Sequence, residues 1–76
     1  MNQYQYTFEP HTHNLSASSL KDAEDRAKLA ILDSIADELD DEEYDALDST
    51  ESWDEFREQL NLLGYVRPSD VELIID

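Results

Sequence analysis

Leu20, Ala23, Ala27, Ile31, Ile35 and Leu39 recur at spacings of three and then four residues. This is the tightest constraint on what the chain can fold into. A 3.6-residue period held for about five turns lays one continuous apolar stripe along a helix. Ser19 stands before the stripe as an N-cap, with Asp22 three residues on, so the spacing predicts a helix over 20–39. Such a stripe has to be buried, and the small Ala23 and Ala27 admit a sheet or a second helix at close range.

The flanking segments suggest what covers it. Over 3–9, Tyr4, Tyr6 and Phe8 alternate with Gln3, Gln5, Thr7 and Glu9, the period of a half-buried strand that Pro10 ends. Residues 11–18 are polar and read as a loop. Asp40 with Glu43 caps a short helix over 40–47 that buries Tyr44 and Leu47. Ser52 with Glu55 caps a third helix over 53–63, whose apolar side is Trp53, Phe56, Leu60 and Leu63. Gly64 takes the left-handed position that closes such a helix. Arg67 to Asp70 is turn chemistry, and Val71 to Asp76 alternates as a strand. Ser69 and Glu72 also fit a capping box, so a last helical turn is the competing reading there. The expected fold is α+β, a single domain over 1–76 in the order β-α-α-α-β, with two terminal strands packed against three helices. No repeat, linker or second domain is visible. Two strands make a marginal sheet. They either pair with each other or leave an edge for a partner's strand or a second subunit, so a homodimer is compatible with this layout.

Composition excludes several classes of function. With 20 acidic and 5 basic residues the net charge is -15 in 76 residues. Such a chain is repelled by nucleic acid and by anionic membranes, so neither is expected as a direct partner. The absence of cysteine removes disulfides, thiolate zinc sites and cysteine nucleophiles. No apolar run has membrane-spanning length, and MNQYQYTFEP lacks the basic and apolar regions of a secretory signal, so a cytoplasmic protein is expected. Seven aromatics and 39% hydrophobic residues argue for a folded domain over an acidic tail.

The charge is also unevenly placed. Thirteen acidic residues lie between Asp33 and Glu58, with Arg57 the one basic residue among them. Asp33, Asp37 and Asp41 follow at four-residue steps, a spacing at which like charges destabilise a helix by roughly 0.2–0.5 kcal/mol per pair. Asp37 and Glu38 would fall in the last turn of the long helix, where the dipole prefers cations. Solubility and helix capping explain some of these carboxylates, but not the absence of lysine and arginine between residues 29 and 56. Carboxylates four residues apart on a helix advance about 6 Å along its axis. Phosphates of one DNA strand advance about 3.4 Å along the duplex and lie farther apart in space. A rigid acidic face can therefore stand in for a phosphate backbone. The candidate partner-binding residues are Asp33, Asp37, Glu38, Asp40, Asp41, Glu42, Glu43, Asp45, Asp48, Glu51, Asp54 and Glu55.

Other chemistry finds little footing. His11-Thr12-His13 has a chelating spacing, but two histidines without further ligands do not make a structural zinc site. The run from Asp37 to Asp48 lacks the glycine and alternating oxygen ligands of a calcium loop. No histidine follows residue 13, so no Glu-x-x-His di-iron pair exists. One glycine is too few for a phosphate-cradling loop, and no carboxylate is marked for an apolar site that would tune it for acid–base work. We expect no enzyme activity, no cofactor and no metal.

A short, cysteine-free, strongly acidic α+β chain with an uninterrupted carboxylate face resembles the nucleic-acid-mimic inhibitors of phages and mobile elements. That class includes many anti-CRISPR proteins, anti-restriction proteins and uracil-DNA glycosylase inhibitors. The resemblance is one of size, charge and layout. It implies an inhibitor acting in the cytoplasm of a bacterial host, which presents its acidic helical face to the basic DNA- or RNA-binding site of a Cas effector. The alternative is a small acidic adaptor or regulatory subunit, antitoxin-like, that docks on a basic protein surface without displacing nucleic acid.

Overall fold

The structure, a computed structural model, describes residues 2–75. The alternating N-terminal segment is β1 (Asn2–Phe8), with Tyr4 and Tyr6 buried on the side opposite Gln3, Gln5 and Thr7. The following residues depart from the loop expected over 11–18. They form β2 (His11–Ala17), antiparallel to β1, with Phe8 opposite His11 and Asn2 opposite Ala17. Glu9 and Pro10, joined by a cis peptide bond, are the whole turn between them. His11, His13, Leu15 and Ala17 share the side of Tyr4 and Tyr6, and Thr12, Asn14 and Ser16 share the other. The alternation was present but carried by imidazoles, one of which stacks on Tyr6 with ring centroids 5.2 Å apart (His13). Glu-Pro is also not among the residue pairs that announce a two-residue hairpin.

The C-terminal segment is the strand β3 (Glu72–Ile75), not a helical turn, and Asp76 lies outside the described residues. β3 runs antiparallel along the other edge of β1, so the sheet order is β2-β1-β3 and the two terminal strands do pair. Leu73 lies opposite Tyr4 and Ile75 opposite Gln3, which leaves Ile74 as the extra residue of a bulge.

Three helices cover the side of the sheet that carries the tyrosines. α1 (Leu20–Ile35) starts at Ser19, whose side chain accepts from the Asp22 amide. It stops four residues short of the expected end, in a 3-10 turn (Ala36–Glu38) followed by an extended Leu39. The cause is local. No basic residue stabilises its last turn, and Ser34 Oγ bonds back to the Ile31 carbonyl at 2.8 Å. Asp40 must also be extended to cap α2 (Asp41–Asp48) through the capping box with Glu43. α3 (Trp53–Leu62) is capped by Ser52 and ends in a Schellman turn. There Tyr65 N donates to Leu60 O, Gly64 N donates to Asn61 O, and Gly64 adopts φ 96°.

The buried stripe of α1 is Ala23, Ala27, Ile31, Leu32 and Ile35, against Leu47 of α2 and Trp53, Phe56 and Leu60 of α3. Leu32 joins the stripe, while Leu20 at its start stays 49% exposed. Tyr44, expected to be buried, is 37% exposed. The turn before β3 is held from two sides. Ser69 N donates to Thr7 O at 2.8 Å and its Oγ accepts from Thr7 N at 2.7 Å. Trp53 Nε1 donates to Ser69 O, and Arg57 Nε to Pro68 O.

Candidate acidic interface

The twelve expected carboxylates lie on consecutive stretches: the end of α1, the 3-10 turn, α2 and the start of α3, with Asp40 and Glu51 in the connections before α2 and α3. All are solvent-exposed except Glu43, which is half-buried by its capping role. The early end of α1 changes their arrangement. Asp33 remains on α1, Asp37 and Glu38 sit in the 3-10 turn, and Asp41 opens α2. They do not form one row along a single helix, as the four-residue steps suggested. Instead the chain turns between them, and Asp41, Glu42 and Glu43 occupy the first turn of α2, where the dipole favours anions.

What all but Asp54 have in common is the lack of a counter-charge among the described residues. Lys21 pairs with Asp25, Arg26 with Asp22, and Arg57 with Asp54 and Asp70. Lys28 donates its Nζ to the main-chain oxygens of Asp48 and Thr50 at 2.6 and 3.0 Å. Among the described residues, Asp54 alone of the twelve has a cation within 4.0 Å. Three others meet backbone amides: Asp40 and Glu43 in the capping box, and Glu55 accepting from Glu51 N. The side chains of Asp33, Asp37, Glu38, Asp41, Glu42, Asp45, Asp48 and Glu51 have no hydrogen-bonding partner among those residues. They are free to meet a partner's cations without breaking an internal bond.

Tyr65 was not anticipated here. It packs partly against the core, and its hydroxyl is pushed above the usual phenol range by desolvation first and then by the negative fields of Glu38 and Glu43. Tyr65 thus lies within the field of carboxylates from the 3-10 turn and α2. Sequence spacing gave no sign of this, because Tyr65 lies beyond the end of α3.

A second carboxylate group was also missed. Glu24 of α1, Asp54 of α3 and Asp70 before β3 line one groove with Leu20, Ser52, Trp53 and Val71. These residues come from three separate segments, so no local pattern marks them. The two histidines of β2 lie on its exposed part with ring centroids 6.2 Å apart. Among the described residues, no three histidine or carboxylate side chains converge on a point suited to a metal ion. No helix among them is long and apolar enough to cross a membrane. Comparison of the chain with protein-family models, with curated proteins and with solved structures finds no match.

Proposed function

We propose that the protein is an inhibitor that occupies the basic nucleic-acid-binding site of another protein, acting as a mimic of the phosphate backbone. The observation that carries this reading is the uncompensated acidic surface. Eight exposed carboxylates between Asp33 and Glu51 lack an internal partner among the described residues, in a chain whose cations are engaged elsewhere or stand outside this span. A surface selected only for stability would place cations among these carboxylates. One that competes with nucleic acid gains by presenting anions alone, since each contact with a basic site releases counterions as a phosphate does. Within this class we prefer a Cas effector as the target, which makes the protein an anti-CRISPR of a bacterial cytoplasm. Direct contact with nucleic acid or membrane is no part of the reading.

The test is competition for DNA. Purified Cas effectors are titrated with labelled target DNA in the presence of the protein, at increasing salt. A mimic raises the apparent DNA dissociation constant and loses its effect steeply as salt rises. The variant Asp33→Lys, Asp37→Lys, Asp41→Lys, Asp45→Lys, which spares the capping Asp40, abolishes inhibition while keeping helical circular dichroism. A ternary complex of effector, DNA and protein instead supports the adaptor. Undiminished inhibition by the fourfold variant assigns the interface to another surface.

A further inference from the structure

The groove lined by Leu20, Glu24, Trp53, Asp54, Asp70 and Val71 has a volume of about 450 Å³, near the low end for ligand sites. Its walls come from the first turns of α1, the start of α3 and the segment that leads into β3. Leu20, Trp53 and Val71 supply an apolar floor, and three carboxylates stand around it.

Those carboxylates are not equivalent. Asp54 lies in the first turn of α3, where the helix dipole partly offsets its charge, and 3.3 Å from Arg57 Nη1. Asp70 is 2.7 Å from the same nitrogen. Arg57 is 19% exposed and ties both residues together, while its Nε holds Pro68 O. Glu24 has no hydrogen bond or ion pair among the described residues, although it is partly buried. Its neighbour Lys21 is turned to Asp25 and to the Glu51 carbonyl. The groove therefore holds an apolar floor and one uncommitted carboxylate at its wall. It also carries more negative than positive charge.

We propose that this groove receives a single arginine or lysine side chain of a protein partner, its aliphatic stem lying over Leu20, Trp53 and Val71 and its cation meeting Glu24. Long basic side chains combine an apolar stem with a charged head, the same division that the groove presents. Desolvation raises the pKa of Glu24 and the negative fields of Asp54, Asp25 and Asp70 raise it further, against the opposing field of Lys21. A bound cation offsets the repulsion that Asp54, Asp25 and Asp70 exert on the Glu24 carboxylate. The acidic face at 33–51 acts at longer range and without a defined register. The groove adds a fixed anchor, and such buried, directed contacts set dissociation more than association. This inference rests on the reading of a basic protein partner, but its test does not need that partner and uses the acidic face only as a control.

The probes are the peptides Ac-Gly-Arg-Gly-amide and Ac-Gly-Lys-Gly-amide, with Ac-Gly-citrulline-Gly-amide as the uncharged isostere of the first. Nitrogen-15-labelled protein is titrated with each. The expected result is a saturable shift of the Trp53 indole resonance and of the amides of Glu24, Asp54 and Val71 with both basic peptides. The citrulline peptide binds about tenfold more weakly, as does the arginine peptide to Glu24→Gln, the equivalent of one charge-assisted contact. Glu24→Gln keeps its fold, because the uncharged form already suits this site. The Asp33, Asp37, Asp41 and Asp45 lysine variant retains the groove shifts, so failure of the acidic-face reading is distinguishable from failure of this one. Equal binding of the citrulline peptide, unchanged affinity in Glu24→Gln, absent or non-saturating groove shifts, or shifts spread evenly over 33–51 overturn the proposal.

Discussion

The ammonium group of Lys28 lies 2.6 Å from the main-chain oxygen of Asp48, while the carboxylate of the same aspartate has no cation within 4.0 Å among the described residues. The lysine closest to the acidic surface thus neutralises the carbonyl end of α2 and leaves the side chains uncompensated. It also joins α1 to the connection before α3, since Thr50 O is its second acceptor. Lys28→Met removes both bonds and leaves the last carbonyls of α2 without a charged donor. We expect a loss of about 1–2 kcal/mol in urea unfolding, with no new ion pair gained at Asp48. An unchanged midpoint would mean that solvent serves those carbonyls equally well.

Glu24 and Asp22 have opposite effects on the pH dependence of stability. Desolvation holds the pKa of Glu24 above its ordinary value, so the folded state binds its proton more readily than the unfolded state does. Its contribution destabilises at neutral pH and is relieved as pH falls through the raised value. Asp22 is held below its ordinary value by the Ser18 amide first and then by Arg26. The stability it contributes is present above the unfolded pKa and is lost as pH falls through the folded one. Glu24→Gln should therefore melt higher than the parent at pH 7 and equal to it once Glu24 is protonated. Asp22→Asn should melt lower at pH 7 and converge in acid. The reverse order in thermal melts across pH 3–7 would contradict both assignments.

Core and groove positions on α1 and its partners separate by truncation. Leu47 is fully buried under α1 and α3, so Leu47→Ala should cost about 2–5 kcal/mol. Phe56→Asp places an unpaired charge among the same side chains and should leave no cooperative transition. Leu20 belongs to the same sequence periodicity as Ile31 but is half exposed, so Leu20→Ala should stay within about 0.5 kcal/mol. Calorimetry of the three variants checks the ranking.

Salt should stabilise the isolated protein. Raising sodium chloride from about 0.01 M to about 0.15 M shortens the Debye length from about 30 Å to about 8 Å and screens repulsion among the unpaired carboxylates. The melting temperature should rise over this range, and by less in the Asp33, Asp37, Asp41 and Asp45 lysine variant. A parent protein indifferent to salt would show that these side chains are too dispersed to repel one another.

Much of this architecture was legible from periodicity and caps. Tyr4 and Tyr6 announced a strand, Ser19, Asp40 and Ser52 marked three helix starts, and Gly64 marked an end. These are local signals, fixed by residues within a turn of one another. β2 was hidden because His11 and His13 occupy positions where valine or leucine would have made the alternation plain. The end of α1 was hidden because its apolar period continues through Leu39 although the backbone has left the helix. For the acidic surface, the sequence supplied the residues and their lack of nearby cations. It did not supply their layout, since that depends on the turn at 36–38. The groove beside Trp53 was illegible for a different reason: Glu24, Asp54 and Asp70 meet only after three elements have packed.

The position of β1 between its neighbour in sequence and the last strand has a consequence for synthesis. The hairpin of β1 and β2 can close soon after it leaves the ribosome, but the bonds between Thr7 and Ser69 span 62 residues. Until β3 emerges, after all three helices, the second edge of β1 is bare. Nascent chains on one polysome are crowded, and a bare edge is a template for pairing between them. The carboxylates emitted in between give every such intermediate the same strong negative charge. Electrostatic repulsion then keeps neighbouring chains apart during the interval in which this sheet is unfinished.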